Sequence, residues 1–258
     1  VSNLFEDDAP FSDLRQRLAA AIRPIVTMTV AAELDDAALT EAAEAMEAIG
    51  DRLTARAGPK RTRNQPDLAR AAQDFFPTSP VLGLANPVAP PVRVAVVEGV
   101  DGRPEILGQA NFGFAYEGPP TCVHGGVIAE LLDEVLGAAN IVAEHAAMTG
   151  TLTVRYRQPT PLNTDLRVEA RFVRQDGRKI FAWGGIYHGD VLTAEADGLF
   201  IEVRPKQMLT IAEANVDSVD PGMLEAIRAE ALREGAASDV QPPPGRPLAA
   251  PPVPEEPK

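Results

Sequence analysis

Two glycines behind a histidine, at the head of a long apolar helix, constrain this chain more than any other feature. The run is Cys122-Val123-His124-Gly125-Gly126, and the pattern that follows reads as helical to about Ala143. The first turn of a helix leaves its N–H groups unpaired and carries the positive end of the dipole. Glycines let a ligand come close to that backbone. The arrangement suits an oxyanion or a polarised carbonyl.

Asp133 is the second part of the pattern. It lies nine residues after His124, which at about 100° per residue puts it on the opposite side of the helix. One helix does not aim both groups at one point. Two copies related by a two-fold axis do, with the turn of one subunit facing the carboxylate of the other. Gly126, Ala129, Gly137 and Asn140 fall on the Asp133 side, whereas Ile128, Leu131, Val135 and Val142 fall on the far side, suited to packing on a sheet. A carboxylate among small residues reads either as a site with room around it or as a close helix–helix contact with a solvated or capped Asp.

Around this helix the chain reads as α+β. Residues 11–57 read as helical, with Asp35 or Asp36 as a cap and Leu39, Ala42, Ala43, Met46, Ile49 and Leu53 near 3.6-residue spacing; Gly58-Pro59 ends that region. Lys60, Arg61 and Arg63 form a basic cluster. Pro66 to Pro91 reads as a wrapping connection with a short helical candidate at Asp67–Phe75. Val92, Val94 and Val96 open a strand, Asp101-Gly102 turns it, and Ile106–Tyr116 reads as the return strand. Three strands after the helix, at about 149–157, 166–172 and 180–188, are followed by a fourth at about Val191–Val203, with hairpin turns at Asp176-Gly177 and Gly189-Asp190. Beyond Pro205 the pattern weakens. Pro221–Gly235 reads as a short helix, and the Pro-rich stretch from Val240 as disordered.

The run His124-Gly125-Gly126-Val127-Ile128-Ala129-Glu130-Leu131-Leu132-Asp133-Glu134 resembles the signature of the hotdog-fold acyl-CoA thioesterases of the phenylacetyl-CoA (PaaI-type) branch. Thr149 to Leu162, with its Tyr-x-x-Pro-x-Pro ending, is similar to that family's first long strand after the helix, and Ala194–Ile201 to its closing strand. The resemblance runs from about Val92 to Val203. It implies a hotdog fold, a curved antiparallel sheet wrapped around a long central helix, here with an N-terminal helical extension. The implied division is 1–90 for the extension and connection, 91–204 for the hotdog domain, and 205–258 for the C-terminal helix and tail. A single unit of this kind works as a homodimer or a dimer of dimers.

The resemblance also implies roles. Gly125, with Gly126, polarises the thioester carbonyl through backbone N–H groups, and Asp133 of the partner subunit acts as base or as nucleophile. Thr149 orients the water or the Asp, with Thr151, two residues on and on the same strand face, as its backup. His124 orients the carbonyl or holds the turn. Arg155 and Arg157, and Arg178 with Lys179, are candidates for the CoA phosphates; a solvated strand face is the plain alternative. Many family members carry Asn or Gln shortly before the His-Gly-Gly. Here Glu117-Gly118-Pro119-Pro120 stands instead, which offers Glu117 as a second acid.

Composition narrows the rest. A net charge of −13, from 37 acidic and 24 basic residues, argues against nucleic-acid or anionic-membrane binding. No apolar stretch is long enough for a membrane span. With Cys122 as the sole cysteine and Glu6, Asp7 and Asp8 where a signal peptide is basic, a reducing cytoplasm is expected. No cofactor is implied, and three histidines without ligand spacing imply no metal. A Cys122 nucleophile is disfavoured because a buried free cysteine is common. There is no Gly-x-Ser-x-Gly elbow and no phosphate-binding loop. A hotdog hydratase would need a paired His and carboxylate. What the resemblance implies is a thioesterase acting on acyl-CoA or an acyl carrier in fatty acid metabolism. Its alternative is a non-catalytic hotdog protein that binds acyl-CoA as sensor or scaffold.

Overall fold

The computed structural model of the protein describes residues 14–58, 76–219 and 221–237. The basic cluster at Lys60–Arg63, the helical candidate at Asp67–Phe75 and the Pro-rich tail from Val240 lie outside the described residues.

The N-terminal region is two helices, α1 (Leu14–Ala31) and α2 (Asp36–Ala55). They separate at Asp35, whose side chain accepts a hydrogen bond from the Ala38 N–H at 2.8 Å and caps α2. Helix α2 buries none of its residues against the described chain. Helix α1 is stapled down by Arg23. Its Nε donates to the Ala89 carbonyl, and its Nη2 donates to those of Gly83, Leu84 and Asn86. Burial of this guanidinium pulls its pKa down.

The core holds six antiparallel strands, β1 (Val92–Glu98), β2 (Pro104–Ala110), β3 (Ala147–Tyr156), β4 (Leu166–Asp176), β5 (Lys179–His188) and β6 (Val191–Glu202), in the order β1-β2-β4-β5-β6-β3. Helix α3 (Gly125–Val142) packs across one face of this sheet. The return strand ends at Ala110, short of the expected Tyr116. Ala110 pairs with Leu166, the first residue of β4, so nothing remains beyond it to pair with. Phe112 instead turns into the core and meets Tyr116 edge-on at 5.5 Å between ring centres, and Phe114–Tyr116 form a single 3-10 turn.

Size complementarity brings α3 close to the sheet. The inner positions of β4, β5 and β6 include Ala170, Ala182, Gly184, Ala194, Ala196 and Gly198, while the helix supplies Ile128, Leu131, Leu132, Val135 and Leu136. Leu136 occupies the space left by two glycines: a Cβ on Gly184 would lie 2.8 Å from Leu136 Cδ1, and one on Gly198 would lie 2.7 Å from Leu136 Cδ2. Strand β5 is apolar on both faces, as read. Its outer aromatics Phe181, Trp183 and Tyr187 lie under the guanidinium groups of Arg174, Arg171 and Arg167 of β4.

The helix wheel needs one correction. The wheel puts Asn140 on the Asp133 side, yet it is only 2% exposed, and neither amide atom has a hydrogen-bond partner among the described residues. The chain doubles back at the helix end, with the His145 N–H on the Asn140 carbonyl at 2.9 Å. Gly137 does lie open, with nothing within 4 Å of a Cβ built there. At the C-terminus a helix α4 (Pro205–Ala214) precedes α5 (Pro221–Ala237). The weak pattern after Pro205 gave no sign of α4, because the pair makes only a small cluster of its own around Ala212, Val219 and Leu224.

Candidate active site

The His-Gly-Gly turn is delivered by a tight ribbon. Glu117 bridges Val123, the Gly118 N–H bonds the Cys122 carbonyl at 3.0 Å, and the His124 N–H bonds the Tyr116 carbonyl at 2.8 Å. Thr121 at the ribbon tip has φ 65°, and Glu117 Oε1 secures it by accepting its N–H at 2.8 Å. Glu117 thus holds the turn. Gly118 is required for a close approach, since a Cβ there would lie 2.7 Å from His124 Cα.

His124 is the N-cap of α3. Its Nδ1 accepts the Gly126 N–H at 3.0 Å, which places the ring proton on Nε2. The donor pair expected from Gly125 and Gly126 therefore reduces to one, because the Gly126 N–H is taken by the histidine cap. The Gly125 N–H has no hydrogen-bond partner among the described residues. The Gly125 carbonyl accepts the Tyr156 hydroxyl at 2.8 Å. A cavity of about 400 Å³ opens here, walled by Gly125, Cys122, Ile128, Tyr156 and Arg157 among others.

Asp133 stands two turns along α3, half-exposed, and its Oδ1 accepts the Thr149 hydroxyl at 2.8 Å. Eight residues separate Gly125 from Asp133, so the two are about 12 Å apart along the helix axis. Within one chain they cannot act on the same carbonyl. Beside them Glu134 is mostly buried and accepts the Ser79 hydroxyl at 2.5 Å. Burial pushes its carboxyl up, the Ser79 bond opposes this, and the Asp133 and Glu130 charges add to it.

Thr151 does not share a strand face with Thr149. The β3–β6 register shifts between them, so Thr149 lies opposite the buried Phe200 while Thr151 lies opposite Leu199. The extra residue at Gly150 turns Thr149 towards α3 and Thr151 to the outer face. Arg155 is also on the outer face, ion-paired with Asp197, which holds its pKa up. Arg157 pairs with Glu195, whose other oxygen accepts the Trp183 indole N–H at 3.0 Å; these two donors hold the Glu195 carboxyl down. Of the two arginines only Arg157 reaches the cavity. Arg178 is spent at its hairpin on the Glu202 carbonyl and Gln207.

Strand β3 is an edge strand, ten residues long, with no lysine or proline to blunt it. A second cavity, of about 740 Å³, lies between α1 and the Gly113–Tyr116 segment, walled by Ile22, Val26, Met28 and Val88 among others.

One antiparallel sheet packed on one long helix, with a His-Gly-Gly cap at the helix start, is the hotdog arrangement. Residues 121–195 match the family model described as "Thioesterase superfamily". The crystal structure of protein RHA08564, a thioesterase superfamily protein, is 33% identical; the match covers 74% of this chain and 96% of that one, with a TM-score of 0.64. The chain belongs to the thioesterase superfamily. It is also similar to acyl-coenzyme A thioesterase THEM4 of Xenopus laevis, 37% identical over 91 residues, covering 34% of this chain and 41% of that protein. The mouse (Mus musculus) protein of the same name is 37% identical over 100 residues, covering 38% and 43%. The chain spans about two fifths of the length of these curated relatives. Among the described residues no helix is long and apolar enough to cross a membrane.

Proposed function

We propose that the protein hydrolyses acyl-CoA thioesters to a carboxylic acid and free CoA thiol, at sites shared between two chains. The observation that carries this reading is the division of labour along α3. A free N–H at Gly125 and a hydroxyl-supported carboxylate at Asp133 sit about 12 Å apart on one helix. A two-fold axis that brings two such helices side by side in opposite directions pairs each Gly125 with the partner's Asp133. The unpaired edge of β3 supports such a pairing of copies.

In this reading the thioester oxygen lies on the Gly125 N–H, at the positive end of α3. The partner's Asp133 takes a proton from a water molecule as it attacks the carbonyl carbon. Thr149 holds Oδ1 of that carboxylate, which leaves Oδ2 for the water. The tetrahedral intermediate collapses with cleavage of the C–S bond, and the thiolate takes up a proton to leave as CoA thiol. The alternative covalent route, with Asp133 attacking directly, gives the same products through an anhydride. Arg157 at the cavity rim faces the carrier end, and the apolar cavity under α1 suits an acyl chain. A homodimer or dimer of dimers in a reducing cytoplasm, acting on fatty acyl substrates, is the setting proposed.

The test is release of free thiol from short, long and aromatic acyl-CoAs, with wild type and Asp133→Asn side by side. Turnover that disappears in the variant supports the reading, and the preferred chain names the substrate class. Tight binding of an acyl-CoA without any turnover overturns it in favour of a sensor or scaffold.

A further inference from the structure

Tyr156 makes a contact that the fold alone does not require. It is the last residue of β3, and its side chain is 55% exposed, yet its hydroxyl is committed to the Gly125 carbonyl at 2.8 Å. That carbonyl belongs to the first residue of a helix, where it already has an intrahelical donor; the orphan groups at this end are N–H groups. The phenol therefore rescues no stranded atom. Its ring lies against the glycine: Oη, Cε1 and Cζ would be 3.4–3.5 Å from a Cβ built on Gly125.

The neighbouring contacts give this one a purpose. The peptide unit joining Gly125 to Gly126 is held at both ends, its carbonyl by Tyr156 and its N–H by His124 Nδ1 at 3.0 Å. Two consecutive glycines are otherwise the softest backbone available. The unit before it, which carries the Gly125 N–H, has its His124 carbonyl on the Val127 and Ile128 N–H groups at 3.0 and 3.2 Å, so with both units held the Gly125 N–H keeps one direction. It has no partner among the described residues, and Gly125 and Tyr156 both line the same cavity.

We propose that Tyr156 is a positioning residue: its hydroxyl on the Gly125 carbonyl and the His124 ring on the Gly126 N–H together lock the glycine turn so that the Gly125 N–H stays aimed at the substrate carbonyl. This rests on Gly125 acting as the oxyanion donor. Pre-aimed donors act because they need no reorganisation when charge develops on the oxygen. The strand thus tunes the helix end from outside the reacting atoms, and β3 acquires a second duty beside presenting Thr149.

The test is Tyr156→Phe, which keeps the ring and loses the hydroxyl. Removing a whole donor costs about 10²–10³-fold in rate, so loosening one is expected to lower kcat about tenfold. KM for the acyl-CoA and the melting temperature stay at wild-type values, because ring and fold are intact. A second readout is the infrared carbonyl stretch of a ¹³C-labelled acyl-CoA bound without turnover to the Asp133→Asn protein. Adding Tyr156→Phe should shift that band towards its frequency in water as polarisation is lost. Active wild type with kcat within about twofold in the variant and an unmoved carbonyl band overturns the proposal. A rise in KM alone also overturns it, since Tyr156 is then a wall of the binding cavity. A wild type that releases no thiol from any acyl-CoA fails at the preceding step and takes this proposal down with the thioesterase reading.

Discussion

Replacing Gly125 with proline removes one hydrogen-bond donor from the candidate site with little disturbance to its frame. Gly125 is the first residue of α3, a position proline tolerates because its missing N–H has no helical partner there. The residue before a proline must be extended, and His124 already is, at φ −60° and ψ 133°. The atoms nearest a Cβ at 125 are those of the Tyr156 phenol at 3.4–3.5 Å, an ordinary contact. The fold should therefore gain about 0.4–1 kcal/mol from the stiffer unfolded chain. Catalysis loses the N–H, and the ring Cδ takes its place, so kcat should fall about 10²–10³-fold, or about 2.7–4 kcal/mol in the barrier. The assay is thiol release from the preferred acyl-CoA, with urea unfolding in parallel. Gly125→Ala is the comparator, since it adds the Cβ and keeps the N–H. A proline variant that folds and works within about threefold of the alanine variant refutes the assignment of Gly125 as oxyanion donor.

Further outcomes follow from the same geometry. Gly125→Pro and Asp133→Asn chains, each inactive alone, should regain activity when unfolded and refolded together: random pairing makes about half mixed dimers with one intact site each, so about a quarter of wild-type activity per chain. No recovery would place both groups in one chain's site. Glu134 binds its proton more tightly folded than unfolded, so its contribution to stability is present at low pH and is lost as pH rises from about 4.3 through its raised value. Glu134→Gln stays neutral throughout. The stability difference between variant and wild type, from urea melts, should therefore grow in the variant's favour across that window, and parallel curves would contradict the burial argument. Gly184→Ala would press its methyl to 2.9 Å from the Glu169 carbonyl oxygen, a backbone atom that cannot step aside. A loss of about 1–3 kcal/mol with an unchanged urea m-value is expected; full stability would show that the sheet has slack where none is visible.

What is local or periodic can be read from the order of residues alone. The alternation of apolar residues and the Asp-Gly and Gly-Asp turns marked five of the six strands and both later hairpins to within a few residues. The 3.6-residue pattern marked α3 and its buried side. The places of His124 and Gly125 at the start of α3 and of Asp133 two turns on were legible because a helix start and the spacing along one helix are properties of a single segment. Whatever depends on which segment lies beside which came only with the packed fold. Thr149 and Thr151 look equivalent in a run of alternating residues, and one extra residue at Gly150 sends them to opposite faces. Arg155 of β3 and Arg157 just beyond it read as free cations until β6 brings Asp197 and Glu195 alongside. Gly126 reads as a second donor until the His124 ring folds back on it. The contacts of Tyr156, Ser79 and Glu134 have no sign in the sequence, because Tyr156 lies 31 residues from the carbonyl it bonds and Ser79 lies 55 residues from Glu134. Periodicity fixes which way a side chain points within its own element. Only packing between elements fixes what it meets there.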